Sequence, residues 1–333
     1  MLPIELPIVQ APMAGGTSTR ALAAAVANAG GLGFVAGGYL TADALRDAIA
    51  ATRALTGGPL GVNLFVPSTP GDPVAIARYA DELQPEANRL GVALGEPRWE
   101  DDAYQAKLDV VVATAPQLAG FTFGCPATDV VERLHGAGSQ VAVTVTGAAE
   151  ARQAQAAGVD LLIVQGTEAG GHQGGFDDCS PNLTPLLHLL AELRDTTPLP
   201  LIASGGVMDS AGLAAALGAG AVAAQLGTAL LCTPEAGTSA VHRRALLDGA
   251  FDETAITRAY SGRYGRGLRN RLAREHPDAP RAYPEVHHLT RPLRAAATAA
   301  GDPEVPNLWA GTGWRSITAR PAAQVVRTIA GRA

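Results

Sequence analysis

Lysine is almost missing from this chain: Lys107 is the only one in 333 residues, so nearly all the positive charge sits on arginine. No basic run occurs and the formal charge is −6, which argues against a nucleic-acid partner, because phosphate binding needs a net basic face. Cysteine is scarce too. Cys125, Cys179 and Cys232 are far apart and contain no CxxC pair, so a disulfide framework is not expected and a reducing cytoplasm is the expected setting. The seven histidines include one adjacent pair, His287 and His288; neighbours in sequence do not make a zinc site, and no metal is expected. No uninterrupted apolar stretch reaches membrane-spanning length, since glycines and polar residues break every Ala-rich run. The opening MLPIELPIVQAPM has no charged region ahead of an apolar core, so it does not read as a signal peptide.

What the chain does have is glycine (39), proline (23) and 47% hydrophobic residues, arranged as short apolar runs alternating with Ala-rich helical stretches. That alternation predicts repeated βα units and a parallel sheet. The runs at 7–11, 33–36, 60–66, 118–123, 140–145, 161–165, 199–203 and 222–226 are the candidate strands. Eight is the number that closes a TIM (β/α)8 barrel. Helices are expected at 19–29, 41–52, 127–136, 148–157, 183–194 and 209–218, several ending at a glycine (Gly30, Gly136, Gly158, Gly218) as a left-handed C-cap favours. Two segments break the alternation. Residues 67–116 are too long for a βα loop and read as a helical insertion. Beyond residue 234 the pattern stops, so residues 1–234 are assigned to the barrel and 235–333 to a mainly helical lobe, with Leu308, Trp309 and Trp314 as its packing anchors.

Barrels of this kind hold phosphate with the loops after strands 7 and 8 and a helix N-terminus. Here Ser204-Gly205-Gly206-Val207 and Leu226-Gly227-Thr228 stand at those two positions. Glycine lets backbone N–H groups approach an anion, and the helix dipole adds favourable potential. A glycine pair alone would mean only a tight turn; two glycine-bearing strand ends in series point to a phosphate-bearing ligand.

Other strand ends offer a site for a flat ring. Met13, in Gln10-Ala11-Pro12-Met13, is a polarisable apolar side chain, though a gap-filling core methionine would look the same. Asn63 is an amide within the apolar run Gly61–Phe65; a ligand edge or neighbouring backbone would satisfy it equally well. Gln165 ends the sixth strand, where barrel enzymes place ligand contacts. The stretch Gly166–Gly175 then carries His172 between glycines, off any apolar face, as a natural base or hydrogen-bond donor on a flexible backbone.

These segments resemble the nitronate monooxygenases, formerly called 2-nitropropane dioxygenases. The likeness runs through PIVQAPMAGGTST (7–19), GVNLFV (61–66), QGTEAGGHQGG (165–175), ASGGV (203–207), QLGTALL (225–231) and TRAYSGRYGRGLRNRL (257–272). It implies a barrel with non-covalent FMN that oxidises alkyl nitronates, and in some members nitroalkanes, with dioxygen to a carbonyl compound and nitrite. By position it implies FMN contacts from Met13, Asn63, Gln165, Gly170, Gly206 and Gln225-Leu226-Gly227-Thr228, with Gly205 in the same turn, and His172 as the active-site histidine. An imidazole titrating near neutrality would suit removal of a nitroalkane α-proton, and Arg263 could add positive charge. One departure stands out: Thr122, in Phe121-Thr122-Phe123, replaces a histidine that many members carry. Two rival readings remain at this level: an NAD(P)H-dependent reductase of quinones or enoyl thioesters, and a flavin- or phosphometabolite-binding barrel without turnover. Oligomeric state is not legible.

Overall fold

A computed structural model describes residues 2–332. Eleven strands occur among them: β1 (Ile8–Gln10), β2 (Gly33–Ala36), β3 (Leu60–Phe65), β4 (Leu118–Thr122), β5 (Gln140–Val145), β6 (Leu161–Gln165), β7 (Gly171–His172), β8 (Leu201–Ser204), β9 (Ala221–Leu226), β10 (Thr254–Thr257) and β11 (Gly265–Leu268). Eight of them, all but β7, β10 and β11, form one parallel sheet in the order β1-β9-β8-β6-β5-β4-β3-β2. The seam between β1 and β2 is closed by a bridge from Val9 to Leu32. There the Gln10 side chain continues the ladder, its Oε1 accepting from Phe34 N at 3.2 Å. The expected eight-stranded barrel is therefore present, with every strand where the apolar runs lie.

Strand alternation decides what fills it. Val9, Phe34, Leu118, Ala142, Leu161, Ile163, Ile202 and Ala223 form a buried cluster with no helical member, so they occupy the barrel interior. Residues of the same parity one step further along are polar: Asn63, Thr122, Thr144, Gln165, Ser204 and Gln225. The interior is thus sealed by hydrocarbon and topped, at the C-terminal ends of the strands, by a floor of amides and hydroxyls.

The helix ring comprises α1 (Arg20–Asn28), α2 (Ala42–Arg53), α4 (Tyr104–Thr114), α5 (Thr128–Gly136), α6 (Ala148–Ala156), α7 (Leu186–Thr196) and α8 (Ser210–Gly218), with α3 (Pro73–Leu90) set apart from it. Thr19 and Thr41 cap the first two, accepting from Leu22 N and Ala44 N. The expected insertion at 67–116 divides in two. Helix α4 packs on α2 and β3 as the barrel's own helix after β3, whereas α3 lies against the lobe helix α11 (Glu285–Ala299). The tail also differs from expectation. Between α9 (Ala240–Leu247) and α10 (Arg271–Glu275) it forms β10 and β11, which join β7 in a three-stranded antiparallel sheet. Its last helix, α12 (Ala322–Ile329), packs on α1 and α8 within the main barrel core. A linear division at residue 234 cuts across the helix ring, because the chain leaves the barrel for the lobe and then returns.

The lobe has its own core, built from Ile76, Tyr79 and Leu83 of α3 with Tyr260, Leu289 and Leu293. A further cluster, including Leu231, Cys232, Leu308 and Trp314, fastens the lobe over the end of β9. Leu308 and Trp314 are buried as anchors, and Trp309 packs against the lobe core.

Candidate active site

A cavity of about 910 Å³ lies between the polar floor and the lobe, near the upper end of the range for small-molecule and cofactor sites. Met13, Asn63, Gln165, Gly170, His172, Gly205, Gly206, Gln225, Gly227 and Thr228 all line it. Leu226 does not. It is 1% exposed and belongs to the outer barrel core, because alternation that turns Gln225 and Gly227 inward turns Leu226 away.

At the floor, Asn63 is 2% exposed; its Oδ1 accepts from the Thr122 hydroxyl at 3.1 Å, while its amide nitrogen makes one long bond, 3.4 Å, to Leu64 O. Gln225 accepts from Ser204 Oγ at 3.2 Å, and its buried Nε2 has no partner among the described residues. A buried amide donor left unsatisfied is costly, so the floor presents unspent hydrogen-bonding capacity. Gln165 behaves otherwise. Its Nε2 donates to His172 O at 3.1 Å and its Oε1 accepts from Gly174 N at 2.7 Å, so this amide staples the loop that carries the histidine.

The backbone at His172 is accordingly not the flexible loop that flanking glycines suggest. His172 pairs with Gly265 of β11, and the next amide, Gln173 N, donates to Tyr264 O at 2.8 Å. Its Nε2 lies 2.7 Å from Ser261 Oγ. Phe123, Tyr283 and Trp309 surround the ring at centroid distances of 5.7, 5.5 and 5.1 Å. Burial, reinforced by the positive charges of Arg263 and Arg294, pushes its pKa down to about 3. The near-neutral value expected from sequence is replaced by an imidazole uncharged at any ordinary pH.

Both of those arginines lack an ionic partner among the described residues. Arg263, 4% exposed, donates to the carbonyls of Gln173 and Gly175 and stacks over Phe123 at 4.1 Å; it supplies positive charge beside the site without lining the cavity. Arg294 meets only Thr290 Oγ1, Asn307 Oδ1 and the Nδ1 and carbonyl of His287.

The other end of the cavity is built from glycine. Gly205 and Gly206 have φ of +116° and +73°, a left-handed turn closed to most side chains, and at Gly205 a Cβ would sit 2.8 Å from Ala169 N. The tail completes this end. Gly311 N donates to Thr228 Oγ1 at 2.9 Å, and the backbones pack closely here: a Cβ on Gly170 would collide with Gly311 N at 2.4 Å, and one on Gly311 with Glu168 O at 2.6 Å. Sequence reasoning missed Ser261, Tyr283, Arg294 and Gly311. Ser261 sits inside the TRAYSGRYGRGLRNRL segment; the others had no local signal, because contacts from distant chain segments define them.

Over residues 1–330 the chain matches the family model described as Nitronate monooxygenase. The chain belongs to the nitronate monooxygenase family. It is 40% identical to a nitronate monooxygenase of Paraburkholderia phytofirmans, covering 99% of this chain and 92% of the relative. It is 35% identical to a probable nitronate monooxygenase of Staphylococcus aureus, covering 99% and 94%. Among solved structures, a nitroalkane oxidase from Streptomyces ansochromogenes superposes with a TM-score of 0.96 at 48% identity, covering 99% and 96%. FabK from Thermotoga maritima superposes at 0.77 and 27%, covering 99% and 93%. Nitronate monooxygenases are a flavoprotein family, and among the described residues no helix is long and apolar enough to cross a membrane.

Proposed function

We propose that this nitronate monooxygenase family member binds FMN and oxidises alkyl nitronates, and to some extent nitroalkanes, with dioxygen to a carbonyl compound and nitrite. The residues fit the cofactor. The unpartnered Gln225 Nε2 and the under-used amide of Asn63 offer donors to a ring edge. The left-handed Gly205-Gly206 turn, with Gly227 and Thr228, offers backbone and hydroxyl groups to a phosphate. Thr228 accepts from Gly311 N, which leaves its own O–H to donate. Bound FMN would supply the electron acceptor and the reaction with dioxygen.

The chain's own groups do the rest. The observation that carries the reading is an uncharged imidazole held against Ser261, on a loop stapled to the cofactor floor by Gln165. A neutral imidazole can accept the α-proton of a nitroalkane; with a pKa held down by burial it is a weak base alone, and the nitronate anion formed beside it offsets this by stabilising the imidazolium. Neither Arg263 nor Arg294 has a direct ion pair among the described residues, although Asp178 and Glu150 stand near Arg263; their charges disfavour a lone cation there and favour an anion, so the field suits a substrate that arrives as, or becomes, a nitronate. Phe123, Tyr283 and Trp309 wall the imidazole with apolar rings, which limits water and strengthens that field.

The test is to mix purified holoenzyme in air with a small alkyl nitronate and follow oxygen and nitrite. Oxygen consumption with nitrite release, and no need for NADH or NADPH, is the expected result. Anaerobic bleaching by NADH or NADPH, with no response to nitronate, would establish a reductase instead. Heat-released chromophore should have the mass of FMN; an FAD mass would overturn the cofactor assignment.

A further inference from the structure

Arg294 stands on α11, in the lobe-side wall of the cavity. A guanidinium has five N–H donors. Here Nε donates to Thr290 Oγ1 at 3.1 Å, one Nη1 hydrogen to Asn307 Oδ1 at 2.9 Å, and the Nη2 pair to His287 O at 2.9 Å and His287 Nδ1 at 3.3 Å. Every acceptor is neutral, and one Nη1 hydrogen has no partner among the described residues. None of the three carboxylates in the same cavity pairs with it: Asp102 binds Lys107 at 2.7 Å, Glu100 binds Arg98 at 3.2 Å and His288 at 3.1 Å, and Asp101 accepts the backbone N–H of Ala103 at 3.0 Å.

The fork is also rigid. Four acceptors on three residues from two separate segments hold it, and His287 is fixed in turn by a parallel stack on Tyr39 at 4.4 Å. Burial pushes the Arg294 pKa down to about 10, still far above working pH, so the charge is permanent. A desolvated charge without a counterion is expensive unless a ligand completes it. The charge reaches His172, whose imidazole it helps keep unprotonated. The Tyr283 ring meets both the His287 ring, at 6.5 Å, and that of His172, at 5.5 Å.

We propose that Arg294 is the anchor of a subsite for a planar oxyanion, of the nitronate, carboxylate or nitrate class, and that this subsite holds an anionic substrate beside His172. The proposal deepens the nitronate reading and rests on it for the identity of the substrate, but not for the existence of the subsite. Arg294 is preorganised, bears one free donor and faces the same cavity as the imidazole. It is separate from the glycine-built end, where Gly206, Gly227, Thr228 and Gly311 gather.

Nitrate is a planar, unreactive probe. Sodium nitrate titrated calorimetrically into the flavin-loaded enzyme should bind, and Arg294→Met should weaken it at least about tenfold, the loss expected for a charge-assisted hydrogen bond. Flavin content should stay at the wild-type level. Should Met fail to fold, Arg294→Gln keeps a polar group for Thr290 and Asn307 without the charge and should show the same loss. Nitrate affinity unchanged in a folded variant, no nitrate binding by the wild type, or loss of flavin in step with Arg294 would each overturn the subsite. Nitrate bound through Arg294 in an enzyme inert to nitronates would overturn the functional reading and leave the subsite standing.

Discussion

Lys107 and Asp102 form a buried ion pair, Nζ to Oδ2 at 2.7 Å, and the other carboxylate oxygen of Asp102 accepts the backbone N–H of Tyr39 at 3.0 Å. The chain's only lysine therefore holds a wall of the cavity. Tyr39, Asp102 and Ala103 all have left-handed backbones, with φ of 66°, 56° and 51°, a conformation costly for non-glycine residues. Burial pushes the Lys107 pKa down and that of Asp102 up, each opposed by the partner's charge. The Tyr39 hydroxyl lies 3.0 Å from that of Tyr283, whose ring meets His172, so the pair braces the catalytic candidate at a distance.

Breaking the pair should be severe. Lys107→Met leaves an uncompensated carboxylate and should cost about 3 kcal/mol, the low end for a broken buried pair because Asp102 is partly exposed. The urea midpoint measures this. Adding Asp102→Asn should recover most of the loss, since Asn Oδ1 still accepts from Tyr39 N and no buried charge remains. A single variant as stable as wild type would show that the pair does not secure this wall.

The phosphate end can be tested with charge and strain separated. Gly206→Asn and Gly206→Asp both place a side chain at φ +73°, 3.1 Å from Glu168 Cβ, but only Asp sets a negative charge where phosphate is expected. Both should fold; Asp should purify colourless, while Asn should retain flavin with an affinity reduced by less than about tenfold, the cost of strain alone. Full yellow occupancy in Gly206→Asp places the phosphate elsewhere.

Most of the barrel was legible because each strand is a continuous apolar run, and a parallel strand covered on both faces needs no more than that. The floor was legible in part. Asn63, Gln165 and Gln225 interrupt such runs, but nothing local distinguishes Gln165, whose two polar atoms serve the His172 loop, from Gln225, whose amide is free. Leu226 was misplaced by treating a contiguous motif as a contiguous surface, although strand parity turns it into the core. Strand β7 has two residues and exists only because β11, some ninety residues later, pairs with it. Helix α12 reads like any amphipathic helix, and only packing on α1 and α8 returns it to the barrel.

Four histidines line the cavity with depressed pKa values: His172 at about 3, His242 at about 4, His287 at about 2, and His288 also lowered, in each case chiefly from burial. Unfolded, each would titrate near 6.5. A histidine that resists protonation when folded contributes stability above pH 6.5 and loses it as pH falls toward the folded value, because the unfolded chain binds the proton first. Melting temperature should therefore fall between pH 7 and 4.5. His242→Gln removes one such group, whose Nε2 has no hydrogen-bond partner among the described residues, and should flatten that fall. An equal slope in variant and wild type would show that His242 is protonated as readily folded as unfolded.

His172 and Arg294 should separate by substrate. A neutral nitroalkane needs a base, whereas its nitronate has already lost the proton. His172→Asn should lower nitroalkane kcat/KM about a hundredfold or more, the scale of a general base, and nitronate kcat/KM by less than about tenfold. Arg294→Met should do something different. The nitronate carries its charge on arrival, so its KM should rise about tenfold or more with little change in kcat. The nitroalkane binds uncharged and becomes an anion only as the proton leaves, so its KM should hold while kcat falls. Because His172 is already unprotonated, wild-type kcat/KM for the nitroalkane should show no ascending limb near pH 6.5. Steady-state kinetics on a matched nitroalkane–nitronate pair, with pH 5 to 8 scanned for the neutral member, reads all of these. Equal losses on both substrates in both variants would mean that neither residue acts on the proton or the charge, and that each merely holds the cavity in shape.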